Sequence, residues 1–226
     1  SDGSITSSVS ANTAAGFSIV GYTGTGSNAT VGHGLTQKPE WLVTKSRDSA
    51  LNWSFLQIND MTTDKVMALQ ATNGEFSSAG SFIEGDFDAT TFGVGTETPT
   101  NKSGDDFVAY CFHSVEGYSK VGSYVGNNST DGPFSFTGFR PAFLLLKRKD
   151  SAASWLIFDN KRDTFNQMQY PLFANLTNAE YTSNLLHVDF LSNGFKIRND
   201  TYGETNVGTY IYLAFAEAPF KFANAR

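Results

Sequence analysis

The chain repeats itself. Gly16-Phe17-Ser18-Ile19-Val20-Gly21-Tyr22 returns as Gly117-Tyr118-Ser119-Lys120-Val121-Gly122-Ser123-Tyr124. Lys38-Pro39-Glu40-Trp41-Leu42-Val43-Thr44-Lys45 returns as Arg140-Pro141-Ala142-Phe143-Leu144-Leu145-Leu146-Lys147, and Asp48-Ser49-Ala50-Leu51-Asn52-Trp53 as Asp150-Ser151-Ala152-Ala153-Ser154-Trp155. Glu75 to Ser78 answers Glu180 to Ser183, and Phe107 to Phe112 answers Tyr210 to Phe215. The offset runs from about 101 residues to about 105, so two copies fill nearly the whole chain. What recurs is apolar spacing and turn residues rather than a set of reactive groups. The expected organisation is a connector over residues 1–15, a first half over 16–116 and a second over 117–226, the halves packed as one compact body without a flexible linker.

Composition narrows the fold. Twenty phenylalanines in 226 residues supply a large apolar load, while only 17% of residues are charged. Ser, Thr, Asn and Gly fill the gap, which suits short strands joined by turns. Candidate strands rich in aromatic and β-branched residues lie at 17–23, 29–33, 41–46, 53–58, 66–70, 91–94 and 106–114 in the first half. In the second they lie at 118–125, 134–137, 142–147, 155–159, 187–191, 195–198 and 209–216. The best helical stretch, Thr164 to Thr177, is broken by Pro171. The expected fold is all-β, an antiparallel, jelly-roll-like β-sandwich built from two repeated halves. Phe107 to Phe112 and Tyr210 to Phe215 are apolar on both faces, so something must cover the second face: the other half, a long loop or a neighbouring subunit.

The net charge of −6 argues against nucleic acid, and the densest basic stretches, Lys147-Arg148-Lys149 and Lys161-Arg162, are short and lie beside acids. No apolar run reaches membrane-spanning length, so no membrane insertion is expected. Ser1 to Asn12 is polar and repetitive and reads as a connector arriving from an upstream domain.

The residues able to carry chemistry read as structural. Cys111, the only cysteine, sits in an apolar run and reads as a buried small hydrophobe. His33, His113 and His187 have no nucleophile motif beside them and no zinc spacing, so no catalytic residue, metal or cofactor is assigned. Asp86-Phe87-Asp88 and Asp105-Asp106 are acid pairs without an EF-hand frame. Asp48 and Asp150 occupy matching positions, which suggests a shared role in holding a turn. Trp53 and Trp155 match too, and are expected to anchor the core of each half.

Several runs carry a family resemblance. Gly132 to Phe143, Ser154 to Arg162, Leu191 to Lys196, Tyr210 to Phe220 and Val31-Gly32-His33-Gly34-Leu35 resemble a β-rich C-terminal domain of marine, cyanophage-like bacteriophage tail-fibre and minor tail proteins. The resemblance covers nearly the whole chain from about Gly16 and implies a location on the virion, an extracellular particle assembled in a bacterial cytoplasm. With it the expectation is a structural protein, not an enzyme: a tail-fibre or appendage domain that contacts the host surface, with other virion proteins as partners. The doubly apolar strands point to a homo-oligomer, a trimer by preference. The alternatives are a capsid decoration, collar or fibre-shaft module and, behind it, a polysaccharide-degrading tail enzyme. A host surface glycan would meet exposed aromatics and Asn/Asp side chains, so the candidate ligand-binding residues are Asn199, Asp200 and Tyr202 in one loop and Asp86 and Asp88 in another.

Overall fold

A computed structural model describes residues 2–182, 185–199 and 204–218. The protein is all-β with antiparallel sheets, 42% strand and 3% helix. It divides into two compact units, Ser1–Leu69 with Glu75–His113, and Gln70–Gly74 with Ser114–Arg226.

In the first unit the strands are β1 (Ser7–Asn12), β2 (Phe17–Thr23), β3 (Ala29–Gly32), β4 (Trp41–Ser46), β5 (Ser54–Gln57), β6 (Lys65–Ala68), β7 (Phe76–Ser77), β8 (Thr91–Val94) and β9 (Asp106–Phe112). They form a sheet in the order β1-β2-β9-β4-β5-β6-β7 and a ribbon β3-β8. Period-two alternation sets the faces of the sheet. Ser18, Val20 and Tyr22 of β2 are buried, and Val20 lies opposite Ala109, which lies opposite Thr44. The other face carries Phe17, Ile19, Gly21 and Thr23.

β1 falls within the stretch that reads as connector. Its residues are half-buried or exposed throughout, so no alternation marked it. It nevertheless pairs with β2 along its full length, Ser7 opposite Tyr22 and Asn12 opposite Phe17. The residues before it lie along β3: Ile5 forms a parallel bridge with Val31 and donates its N–H to the Thr30 carbonyl at 2.9 Å.

The second unit contains β10 (Ser119–Val125), β11 (Phe134–Phe136), β12 (Pro141–Arg148), β13 (Trp155–Asp159), β14 (Leu172–Phe173), β15 (Val188–Leu191), β16 (Gly194–Ile197) and β17 (Thr209–Ala216). Its sheets run β10-β17-β12-β13-β14 and β11-β16-β15. One cluster of buried side chains draws on both. Tyr124, Leu144, Leu146, Leu156, Phe158, Tyr210 and Tyr212 come from the larger sheet, and Val188, Phe190, Phe195 and Ile197 from the smaller. Burying each such side chain stabilises the fold by about 1.5–3 kcal/mol. The opposite face of β17 is apolar too, with Ile211 and Leu213 buried, as its sequence indicated. The stretch Thr164 to Thr177 holds β14 beyond Pro171. Regular helix among the described residues is limited to the turn Thr98–Asn101 and a 3-10 turn at Glu84–Asp86.

Lys147 is the unusual core residue, at 0% exposure. Its Nζ donates to the carbonyls of Thr72 (3.0 Å), Arg148 (2.9 Å) and Ala153 (2.9 Å), and lies 6.0 Å from the centre of the Trp155 ring. All three ammonium donors are thereby used. Thr72, from the Gln70–Gly74 segment, also accepts the Ala153 N–H, so the lysine fastens that segment to the second unit. Burial pushes the ammonium down to about 8, against the opposing pull of Glu204. The unfolded chain therefore binds more protons than the folded one between pH ~8 and ~10.5, so this group penalises the fold below pH ~8 and the penalty is relieved as pH rises through that window. Wild-type unfolding free energy relative to Lys147→Met is expected to rise between pH 7.5 and 10, by a total on the order of 3 kcal/mol. Parallel denaturant titrations check this, and a flat difference would contradict it.

Candidate functional site

Each unit is held by a buried tyrosine on the core-facing side of its sheet. Tyr22 of β2 stacks on Phe107 (ring centres 5.2 Å apart, planes at 12°) and meets Phe92 edge-on (6.0 Å, 73°). Its hydroxyl donates to the Thr100 carbonyl at 2.5 Å. Tyr124 of β10 stacks on Tyr210 (4.9 Å, 11°), meets Phe195 edge-on (5.9 Å, 74°) and donates to the Thr205 carbonyl at 2.7 Å. Burial raises both phenols well above the ordinary range, so both remain donors at any physiological pH.

Beside each threonine stands a fully buried asparagine. Asn101 accepts the Thr25 N–H at Oδ1 (2.7 Å), and its Nδ2 donates to the carbonyls of Ser27 and Gly95 (2.7 Å each). Asn206 accepts the Asn127 N–H (3.0 Å) and donates to the carbonyls of Ser129 (2.8 Å) and Asn199 (2.5 Å). One carboxamide thus ties three backbone segments together in each unit, where the chain leaves the β2 or β10 strand for its next loop. The matched acids act alike. Asp48 Oδ2 accepts the Asp106 N–H (2.6 Å) and Asp150 Oδ2 accepts the Thr209 N–H (3.1 Å). Both hold turns.

On this frame the first unit carries an open groove, in two adjoining parts of about 320 and 470 Å³. Register dictates its lining. Across β1, β2 and β9, Ser10 lies beside Ile19 and Tyr110, and Ser8 beside Gly21 and Val108. Thr23 follows beside Asp106, whose carbonyl accepts the Arg47 N–H. The floor is therefore apolar at one end and polar at the other. Gly21 opens it: a Cβ there would meet nothing closer than Ser8 at 3.9 Å. The Tyr110 ring is half-buried and stacks on Trp53 at 6.4 Å. Arg47 is exposed, and its guanidinium has no hydrogen-bond or ion-pair partner among the described residues. Asp106 accepts the Thr23 hydroxyl at 2.8 Å. Without β1 the groove would have no wall. A lone glycine within an alternating strand was the sequence signal for it.

The candidate ligand-binding residues fall into separate units. Asp86 is half-buried in the first unit, where its carbonyl accepts the Thr91 hydroxyl at 3.2 Å. Asp88 is exposed in the same loop. Its Oδ1 accepts the N–H groups of Thr90 and Thr91, both at 2.7 Å, and those bonds hold the carboxyl down to about 2. His33 pins this loop. Its Nδ1 accepts the Leu35 N–H (3.1 Å), which leaves Nε2–H to donate to the Asp88 carbonyl (3.3 Å). Burial pushes the imidazole pKa down, which keeps it neutral in this role. Asn199 is buried in the second unit, its Oδ1 accepting the Thr205 hydroxyl at 2.8 Å and its carbonyl joined to Asn206. Asp200 and Tyr202 lie outside the described residues. Cys111 is fully buried, and burial pushes its thiol up to about 12. Among the described residues no three His, Cys, Asp or Glu side chains gather to hold a metal ion.

Residues 1–219 match the family described as "Domain of unknown function (DUF7483)". The chain belongs to that family. No curated protein and no solved structure matches it. The matched span includes both tyrosine–asparagine braces and every residue that lines the groove, so both belong to the family domain of this chain rather than to flanking sequence.

Proposed function

We propose that the chain is a non-catalytic attachment module of a bacteriophage virion, a tail-fibre or appendage domain that holds a host surface glycan in the groove of its first unit. The observation that carries this reading is the groove itself. Ile19, Val108 and Tyr110 offer an apolar floor for the flat face of a sugar ring, Ser8, Ser10 and Asp106 offer hydrogen bonds, and an unpaired Arg47 suits an acidic substituent. The groove is open, as access to the side of a polymer requires. The groups from which a hydrolase would draw its chemistry are used in the fold: His33 as a neutral pin, Asp48 and Asp150 as turn holders, Cys111 as core.

The scaffold reading is that each unit is one antiparallel, jelly-roll-like sandwich plan and that the chain holds it twice. The sheet orders β2-β9-β4-β5 and β10-β17-β12-β13 correspond strand for strand, and the ribbon β3-β8 answers β11-β16. The two braces and the two turn-holding acids support the same correspondence. In this role the module is carried in the particle as a homo-oligomer, a trimer by preference, beside other virion proteins.

Titrating acidic and neutral surface polysaccharides into the protein tests the glycan reading. Binding to an acidic polymer is expected to fall at least tenfold in Arg47→Ala and Tyr110→Ala, a loss of about 1.4 kcal/mol or more. Gly21→Leu, which fills the groove, is expected to do the same. Binding unchanged by all three variants, or release of new reducing ends from the polymer, would reject it.

A further inference from the structure

In the first unit the segment Gly3–Asn12 seals one whole side. Ser4 Oγ accepts the Thr30 N–H (2.9 Å), Ile5 N–H donates to the Thr30 carbonyl, and Ser7 Oγ donates to the Gly32 carbonyl (2.9 Å). The chain then turns onto β2 and pairs with it as β1. Edge groups of both β3 and β2 are thereby satisfied.

The second unit has no such strand among its described residues. β10 is the end strand of the larger sheet and β11 of the smaller. The pairing of β11 with β16 fixes which groups face outward. Ile197 N–H donates to the Pro133 carbonyl and Thr137 N–H to the Asn193 carbonyl, so Phe134 and Phe136 turn their own N–H and C=O groups away from β16. On β10, Ala216 N–H donates to the Tyr118 carbonyl and Gly126 N–H to the Gly208 carbonyl, which turns the polar backbone of Val125 outward. The outward groups of Phe134, Phe136 and Val125 meet no partner among the described residues, whereas the far end of the β10 edge is already engaged, Ser119 paired with Val115 and the Val121 N–H donating to the Ser114 hydroxyl (3.0 Å). The side chains there are exposed as well: Val125 at 66%, Phe134 at 44% and Phe136 at 64%. An open edge that carries large apolar side chains is a template for another strand.

We propose that this side of the second unit is a strand-acceptor site, and that its occupant is an extended, uncharged, Ser/Thr- and β-branched-rich segment of another polypeptide. The chemistry of that occupant is set by Gly3–Asn12, the segment that closes the corresponding side of the first unit: small hydroxyl side chains that reach edge carbonyls, alternating with Ile5 and Val9. Such a segment would run parallel to β11, as Ile5 runs along Val31, and then meet only the Val125 end of β10, beyond the part of that edge held by Ser114 and Val115. Main-chain hydrogen bonds would supply affinity, and contact with Phe134, Phe136 and Val125 the specificity. The inference uses the correspondence of the two units proposed above, and is independent of the glycan reading, since the groove lies in the first unit.

The test titrates a synthetic peptide of residues 3–12 into the full chain and follows amide hydrogen exchange. The expected result is one peptide per chain, with new protection at Val125, Phe134 and Phe136. Val125→Pro and Phe136→Pro each remove one outward N–H without touching a ladder bond, so each is expected to weaken the peptide at least tenfold with an unchanged circular dichroism spectrum. Protection of these three amides in the free monomer would overturn the proposal. So would peptide protection confined to β2 and β3, equal binding by a scrambled peptide, or protection that arises from self-association of the chain alone.

Discussion

Asn206→Ala is expected to lower the unfolding free energy by about 3–5 kcal/mol, and Asn101→Ala by about 2–4 kcal/mol. Asn206→Ala leaves three backbone groups without a partner, the Asn127 N–H and the carbonyls of Ser129 and Asn199. Asn101→Ala leaves two, the Thr25 N–H and the Gly95 carbonyl, because the Ser27 carbonyl keeps the Thr25 hydroxyl at 3.1 Å. An unmade buried hydrogen bond costs about 1–3 kcal/mol per group, less where water can enter, which places three of them in the first range and two in the second. Asn206→Asp separates polar loss from volume loss. It keeps the acceptor for Asn127 but sets a carboxylate against two carbonyls, so it should be no milder than alanine. Urea titrations measure all three variants. A loss below about 1 kcal/mol in either alanine variant would mean that water or relaxation replaces the brace.

Trp155→Ala is expected to cost about 3–5 kcal/mol, whereas Trp53→Ala costs distinctly less. The two tryptophans match in sequence but differ in surroundings. Trp155 is fully buried beside Lys147, its opposite partner across β12 and β13. Trp53 is half-buried and lies flat against Tyr110 of the groove. Truncating the first opens a cavity in a close-packed region. Truncating the second mainly removes a wall from behind a ligand-facing ring, so Trp53→Ala should weaken polysaccharide binding more than it weakens the fold. Equal stability losses in the two variants would contradict this assignment.

Strand positions were legible wherever β-branched and aromatic residues cluster between turns. β2, β4, β8, β13 and β17 begin and end where their residues indicate. β1 was not legible, because a strand whose side chains are exposed on both faces carries no hydrophobic period; its pairing is a tertiary fact. The short β7 and β14 are two residues each, below the length at which alternation can be read. The matched Asp48 and Asp150 were legible as turn holders because a repeated acid has a repeated partner. The braces could have been found the same way, since Thr100-Asn101 and Thr205-Asn206 recur at the offset of Glu75 and Glu180. Asparagine in a polar-rich chain reads as turn material, however, and that hid its burial. Among the candidate ligand residues, Asn199 is drawn into the second brace, and Asp88 spends one carboxylate oxygen on its own turn. The groove was missed because its wall is β1 and its opening is the missing side chain of Gly21.

Amide exchange at Thr25 and Asn127 tests the duplicated brace most directly. Each N–H is held by the carboxamide of its own asparagine. If the chain is one plan built twice, both amides exchange slowly in the wild type. Asn101→Ala then releases Thr25 and leaves Asn127 slow, and Asn206→Ala does the reverse. One slow amide beside one freely exchanging amide in the unaltered protein would contradict the account.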